Sequence, residues 1–326
     1  MSSGARRRNS VASSVVSRGG VIEEERMTFS DLLDIIAKGS SSPESFESVC
    51  RKLEERIFRI KASSLPALLV DVGSIPESIG HDSTAEKLFA KAADIVLARS
   101  LRELGLQATV NKGRADCADV IAKSMFHDYS LVGDAKAFRL SRTAKNQKDF
   151  KVKSMSEWRG DNNYAVLVCP YFHYPKTASQ IYGQAIDENV CLISWEHLLF
   201  LLRAGVRESA TVNLEFVWSI SEQLAEKVKV SQKNRKENFH RVGNELICQH
   251  LSLAYDDLKG QLLQCKSATI SRAEDEIDFW TRHVEEIQKY TREQAIAELI
   301  SALKVHEKIK AIRKFVKQLP KDDVIG

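Results

Sequence analysis

The sequence predicts an α/β fold with a small central mixed β-sheet flanked by helices, followed by a largely helical C-terminal region. Two apolar runs in the middle of the chain, Tyr164–Cys169 and Val190–Ser194, have the length and character of buried strands. The segment between them, Thr177–Asp187, has helical character, and a strand, a helix and a strand in that order predict a parallel crossover. Apolar residues at helical spacing dominate both ends of the chain, so we expect helices to enclose the sheet.

The N-terminal third predicts a leader and then helices. Residues 1–26 are rich in Ser, Gly and Arg without a hydrophobic period, which predicts a disordered leader. Residues 28–62 have apolar residues at helical spacing around a Ser/Pro turn, so two helices are expected there. Ser83 and Glu86 form a capping box that predicts the start of a third helix, ending at Gly105.

After Gly105 the hydrophobic period changes from helix to strand. Val120–Ala122 and Tyr129–Phe138 predict two short strands ahead of the apolar pair in the middle of the chain. Trp195 then begins a helix that runs through Leu202.

Beyond residue 210 the chain predicts helices with dense charge. Examples are Glu222–Val230, Asn238–Lys259 and Ala273–Tyr290, and a capping box at Thr291–Gln294 opens one more. The predicted organisation is a leader over residues 1–26, a core with N-terminal helices over 27–205, and a helical region over 206–326. We expect the helical region to pack on the core.

Composition favours a soluble, reduced protein. The chain has 326 residues, of which 43% are hydrophobic and 28% charged, and its longest apolar runs fall far short of the roughly 18 residues that a membrane-spanning helix needs. Its six cysteines are scattered without a CxxC pair, which favours buried thiols over a zinc site or disulfides. No secretory leader is evident, so we expect a cytoplasmic protein that does not contact membranes.

Asp134 and Lys136 are candidate catalytic residues because they lie two apart at the end of a predicted strand. Side chains two apart in a strand share one face. Asp119 begins the preceding strand, and a hairpin between the two strands would bring its carboxylate beside that of Asp134. Two converging carboxylates suit a hard cation such as Mg²⁺, and the lysine could orient or deprotonate a water. Asp-x-Lys alone is more often a surface ion pair, so the surrounding sequence carries this hypothesis.

That surrounding sequence is strongly basic. Residues 136–153 carry seven Lys or Arg against the single acid Asp149. A run of this kind is often only a solvated face, but beside a metal and phosphate site it predicts contact with DNA. Side chains in this segment could read bases or hold phosphates, and the candidates are Arg142, Lys145, Asn146, Gln147, Lys148 and Asp149. Glu86 is a lesser candidate for the catalytic site, since its capping position already explains it.

The run from Gly133 to Lys153 resembles the central segment of the HindIII family of type II restriction endonucleases, which belong to the PD-(D/E)xK nuclease superfamily. Further stretches are similar as well: Ser83–Phe89, Asp94–Ala98, Ser156–Arg159, Asp187–Val190, Ser194–Leu198 and Thr291–Glu293. The resemblance spans roughly residues 28–318. This sequence departs from the family at two points. Lys112 stands where the family has an acid, and the family lacks most of the leader.

The resemblance implies a PD-(D/E)xK nuclease core in a homodimer that uses Mg²⁺, with Mn²⁺ as an expected substitute. It also implies cleavage of double-stranded DNA at the palindrome AAGCTT after the first A, which leaves 5′ overhangs. Asp119, Asp134 and Lys136 fall on the catalytic motif positions, Asp119 and Asp134 being the metal ligands, and Asn146 matches a base-reading amide. A DNA methyltransferase of the same restriction-modification system is the expected functional partner. The helical region over 206–326 is expected to serve dimerisation or DNA clamping.

Three functions are compatible with these residues: a site-specific restriction nuclease, a DNA-binding regulator without catalysis, and a nonspecific or repair nuclease. A bound divalent ion near Asp119 and Asp134 would argue against the regulator. Equal cutting of random DNA and of a palindrome would favour the third.

Overall fold

The computed structural model describes residues 26–111, 117–142, 147–175, 179–227 and 235–318. The five strands are β1 Gln107–Val110, β2 Val120–Lys123, β3 Ser130–Ala135, β4 Tyr164–Cys169 and β5 Val190–Ser194. The helices of the first half are α1 Phe29–Ser40, α2 Phe46–Phe58, α3 Leu65–Asp71, α4 Thr84–Glu103, α5 Gln147–Phe150 and α6 Val152–Trp158. Those of the second half are α7 Ile181–Asp187, α8 Trp195–Arg203, α9 Glu215–Trp218, α10 Ile220–Lys227, α11 Arg235–His250, α12 Tyr255–Ile287, α13 Arg292–Ala302 and α14 Val305–Gln318. The predicted leader, except for Arg26, lies outside the described residues.

The strands form one mixed sheet in the order β1-β2-β3-β4-β5. Antiparallel pairing joins β1 to β2 and β2 to β3, and parallel pairing joins β3 to β4 and β4 to β5. The predicted mixed sheet and parallel crossover are therefore confirmed. The sequence reading missed β1, because its alternation of exposed and buried side chains covers only four residues and such a short pattern is ambiguous.

The helix α4 is the main support of the sheet on one face. It is buried continuously from Ala92 to Ala98 and packs against β1, β2 and β3. Gly133 in β3 permits this close approach, since a Cβ at this position would lie 3.3 Å from Cδ2 of Leu97. The residues one turn before Leu97 consequently reach the end of β3.

The C-terminal region is helical, as predicted, but its helices begin and end elsewhere. The prediction of one helix over Asn238–Lys259 and another over Ala273–Tyr290 was wrong. The chain breaks between α11 and α12, where Ser252 has a positive φ of 54°, and α12 then continues for 33 residues. The first half of α12 is anchored on the core by Leu258 and Cys265, and the helix continues without interruption through residues 260–272. None of the helices described is long and apolar enough to cross a lipid bilayer.

Candidate active site

Asp119 and Asp134 face each other across two neighbouring strands. Val120 of β2 pairs with Gly133 of β3 in antiparallel register, so the next facing pair is Asp119 and Asp134. Directly opposite residues in such a ladder point to the same face of the sheet. The hairpin expected from the sequence therefore brings the two carboxylates together, with Asp134 only 3% exposed.

A third carboxylate joins them from the helix α4. Single carboxylate oxygens of Asp94, Asp119 and Asp134 all lie within 4.8 Å of one another. Asp94 is 6% exposed and lies three residues before Leu97, which packs over Gly133. Sequence reasoning missed Asp94. The available signal was a charged residue on the buried face of an otherwise apolar helix, a combination that is uncommon unless the charge is paired or binds a metal.

Two lysines balance part of this negative charge. The ammonium of Lys136 forms an ion pair with the carboxylate of Asp134. Lys91, which the sequence reading did not single out, has its Nζ 3.7 Å from Asp94 and 4.0 Å from Asp119. Since Lys91 is one turn before Asp94 on α4, the same helix delivers a cation and an anion to the cluster. The group of five has one negative charge in excess when every member is ionised.

Two of the carboxyl groups, those of Asp119 and Asp94, hold their protons more tightly than usual. Burial, and then the negative charge of Asp134, raises the pKa of Asp119 to about 6. Burial, and then the charge of Asp119, raises the pKa of Asp94 well above its ordinary value. Carboxylates that repel one another in this way are stabilised by a nearby positive charge. Their oxygens are also the ligands that a hard divalent cation binds. The residues present therefore fit a metal of the Mg²⁺ class.

The backbone of Lys136 is held on both sides. Its amide N–H donates to the carbonyl of Val168 in β4 over 2.7 Å. Its own carbonyl accepts from the indole Nε1 of Trp195, at the start of α8, over 3.1 Å. Trp195 is 1% exposed, so the lysine lies at a rigid end of β3 and not on a free loop.

Glu86 does not join the carboxylate cluster. Its Oε1 accepts from Nη2 of Arg139 over 2.8 Å, and its Oε2 accepts from the backbone N–H of Asp82 over 2.7 Å. Ser83 caps α4 by accepting from the N–H of Glu86, but Glu86 does not return a bond to Ser83 as a full capping box would. The residue ties the start of α4 to the segment that follows Lys136.

The structure describes only part of the predicted DNA-reading segment. Arg142 forms an ion pair with Asp149. Gln147 and Lys148 belong to the short helix α5, and their side chains are not described. Lys145 and Asn146, and also Lys112, lie outside the described residues. The following Phe150 is fully buried against Phe138 and Tyr174, which anchors the end of the segment on the core.

Comparison with known proteins shows the family of the chain. The family model of the HindIII restriction endonuclease matches residues 33–316. The type II restriction enzyme HindIII of Haemophilus influenzae (strain ATCC 51907 / DSM 11121 / KW20 / Rd) is 41% identical over 281 residues, which are 86% of this chain and 93% of the relative. The matched span includes every residue of the carboxylate cluster and both lysines. The chain therefore belongs to the HindIII restriction endonuclease family and is a restriction endonuclease, an enzyme that cleaves DNA at specific sites.

Proposed function

We propose that this enzyme hydrolyses double-stranded DNA at a palindromic hexamer in a Mg²⁺-dependent reaction, and that it restricts foreign DNA in the cytoplasm. The proposed target is AAGCTT, cut after the first A to leave 5′-phosphates on 5′ overhangs. The observation that carries the proposal is the cluster of Asp94, Asp119 and Asp134 with two lysines, beside a basic segment. Similarity to the HindIII restriction enzyme over most of the chain supports the target.

Asp119 and Asp134, with Asp94 as an additional ligand, would hold the metal. Restriction enzymes of this type generally use divalent metal ions, and an all-carboxylate set favours Mg²⁺, with Mn²⁺ as a substitute. When bound, such an ion supplies a Lewis acid for a phosphate oxygen and lowers the pKa of a water. A bound cation also removes the repulsion that raises the pKa of Asp119.

The two lysines have separate roles in this proposal. Lys136 is 17% exposed at its side chain, so its ammonium can contact a phosphodiester at the end of β3 and orient the attacking water; it could accept a proton from that water only after losing its own. Lys91 lies against Asp94 and Asp119, and it keeps the three carboxylates together. Both cations also favour a phosphate in a site that is otherwise negative.

We assign recognition of the DNA sequence to the segment from Arg142 to Asp149. Asn146 and Gln147 carry amides that can pair with adenine, while Arg142, Lys145 and Lys148 can contact guanine or phosphates. The ion pair of Arg142 with Asp149 would hold both side chains until DNA arrives. A palindrome that is read by one surface per half requires two-fold symmetry, so we propose a homodimer with one catalytic site for each strand. A DNA methyltransferase that modifies the same sequence would protect the host.

Digestion of a mapped plasmid tests the proposal. Purified protein should give discrete fragments with Mg²⁺ and none with EDTA, and sequencing of the ends should show 5′-AGCT overhangs. Asp134→Asn is the matched control, because it keeps the shape of the side chain and removes the charge. We expect this variant to lose cleavage and to keep, or even improve, DNA binding.

Each other outcome points to a different function. Tight binding without cutting by the wild type would favour the regulator, and a smear of fragments would favour a nonspecific nuclease. Loss of DNA binding in Asp134→Asn would mean that the residue is structural and not a metal ligand.

A further inference from the structure

The second half of α12 presents an exposed apolar stripe with a regular spacing. Large apolar side chains that are 43–63% exposed recur at intervals of seven, three, four and three residues; they are Ile270, Ile277, Trp280, Val284 and Ile287. Alternating steps of three and four residues are the spacing of a coiled-coil seam. A seam of this kind buries its apolar residues only against another helix.

This stripe borders a groove of about 420 Å³ between α12 and the polypeptide that leads to the DNA-reading segment. The walls are Ala273, Glu276, Ile277, Trp280, Thr281 and Val284 from α12, with Glu77, Leu140 and Ser141 on the other side. Ser141 donates its N–H to Glu77 over 3.1 Å, and the N–H of Glu77 donates to Glu276 over 3.2 Å. The groove is therefore a built feature whose two walls are joined by hydrogen bonds.

The last two helices of the chain carry apolar stripes of their own. Ile296, Leu299 and Leu303 on α13 and its C-cap, and Ile309 and Ile312 on α14, are 40–63% exposed. These helices pack on each other, and in the part of the chain that the structure describes neither packs on α12 to more than a marginal extent. An exposed ion pair of Lys304 with Asp82 at 3.9 Å is a weak tether.

The charges of the two surfaces are complementary. From Ala273 to Ile287, α12 carries six acids and a single arginine. From Val305 to Gln318, α14 carries five Lys or Arg and a single acid. Opposite net charges on two amphipathic helices favour their pairing, and they disfavour the pairing of either helix with a copy of itself.

The apolar area exposed on the two stripes, taken together, is large enough for an interface. The ten side chains together expose an area on the order of 1,000 Å², while a standard interface buries about 800 Å² of each partner.

We propose that the α13–α14 hairpin of one copy packs its apolar face against the α12 stripe and groove of a second copy, so that two copies exchange arms reciprocally. The inference rests on the homodimer of the proposed function and goes further by naming both surfaces. Because Leu140 and Ser141 line the groove, the arm of each copy would contact the segment just before the other copy's DNA-reading residues. Dimer formation would thereby support that segment.

The test is the mass of the full-length protein in solution without DNA, measured by sedimentation equilibrium. The wild type should have twice the chain mass of 36.7 kDa. A face variant, Ile277→Asp with Trp280→Asp, and an arm variant, Ile309→Asp with Ile312→Asp, should each self-associate at least ~100-fold more weakly, since each removes two central apolar contacts. Met125→Asp, 70% exposed in the turn between β2 and β3, is the matched control and should remain dimeric. Circular dichroism establishes that each variant keeps its helices.

Mixing the two disabled variants separates reciprocal exchange from other arrangements. In a mixed dimer the face variant still has an intact arm and the arm variant an intact face, so one of the two contacts remains and a heterodimer should reappear. A face variant that is monomeric while the arm variant stays dimeric, with no rescue on mixing, would overturn the proposal in favour of α12 pairing with α12. An arm variant that stays dimeric but loses DNA affinity would overturn it in favour of a DNA clamp.

These measurements of self-association do not depend on the proposed cleavage. A wild-type dimer with the expected rescue but without cutting at a palindrome would leave the arm exchange standing and remove the proposed function. If the wild type cuts at a palindrome but its dimer does not depend on the arm, the proposed function stands and the arm exchange is wrong.

Discussion

The carboxylate cluster and the C-terminal helices both depart from the usual rule that charged side chains are exposed and apolar side chains are buried. The cluster buries charge, and the helices expose apolar surface. At the end of β3, the charged side chains Asp94 and Asp134 are 6% and 3% exposed. On α12, Ile277 and Trp280 are 63% and 45% exposed. Folding alone favours neither arrangement, since buried charge loses hydration and exposed apolar surface orders water. Both regions make sense as surfaces completed by something outside the single chain, a cation in the first case and another helix in the second.

The two regions differ in how strongly the rest of the fold determines them. Three neighbouring elements, α4, β2 and β3, hold the carboxylates, and Gly133 sets the distance between the helix and the sheet. The arm is joined to the core mainly through the first half of α12, where Leu258 and Cys265 are buried. The carboxylate cluster is therefore preorganised, while we expect the position of α13 and α14 to depend on what they pack against.

The largest expected effect comes from removing the carboxylate that the sequence did not reveal. Asp94→Asn should reduce cleavage by ~10²-fold or more, if Asp94 contributes to binding the metal. In protein without metal the same change should raise the free energy of unfolding, because it removes a buried charge from a repulsive cluster. The increase in Tm that Mg²⁺ causes in the wild type should shrink in the variant, and thermal unfolding with and without the ion measures this.

Asp128→Asn is the control for that experiment, since Asp128 is exposed in the turn between β2 and β3. It should match the wild type in cleavage and in its response to Mg²⁺. Unchanged cleavage in Asp94→Asn would instead mean that Asp94 has a packing role. The view that a cation completes this buried carboxylate would then be wrong.

Asp94 also shows where sequence reasoning reached its limit. Asp119, Asp134 and Lys136 could be grouped from the sequence, because strand periodicity fixes which side chains share a face and a hairpin fixes the register. Asp94 and Lys91 reach the same point from a helix, and their position depends on how α4 crosses the sheet. At that crossing Leu97 packs closely over Gly133, a tertiary contact that no local period encodes.

The same limit explains the error in the C-terminal region. Helical periodicity predicted helices there, and the capping box at Thr291 is present. The expected bounds Asn238–Lys259 and Ala273–Tyr290 were wrong, because the first half of α12 packs on core residues that are distant in the sequence, and such contacts override local signals. The heptad spacing on the second half became informative only when the structure showed that those side chains are exposed.

A smaller effect is expected from pH. The pKa of Asp119 is raised to about 6, so the metal-free folded state binds more protons than the unfolded state between pH ~4 and ~6. The free energy of unfolding contributed by this residue should therefore fall as the pH rises through that window. Because the side chain is 41% exposed, the change should be on the order of 1 kcal/mol after allowance for solvent screening.

Denaturant unfolding of the wild type and of Asp119→Asn, in EDTA at several pH values, measures this contribution as a difference. The variant should gain stability relative to the wild type as the pH rises from ~4 to ~6, with little further change above that range. Saturating Mg²⁺ should reduce the difference, because a bound cation stabilises the ionised carboxylate. A difference that does not depend on pH would mean that Asp119 ionises as an ordinary exposed acid.

The smallest expected effect concerns the exposed stripe and depends on protein concentration. Ile277→Ser should change the free energy of unfolding by less than ~0.5 kcal/mol in dilute, monomeric protein, because the side chain already contacts water. Leu258→Ala on the same helix should cost ~2–5 kcal/mol at any concentration, since Leu258 is fully buried. The loss in Ile277→Ser should grow as the wild type becomes dimeric, because association stabilises only the folded form that keeps its stripe. An equally small loss at every concentration would mean that the stripe is not covered in the dimer, and it would leave the carboxylate cluster as the one region of the two that an outside partner completes.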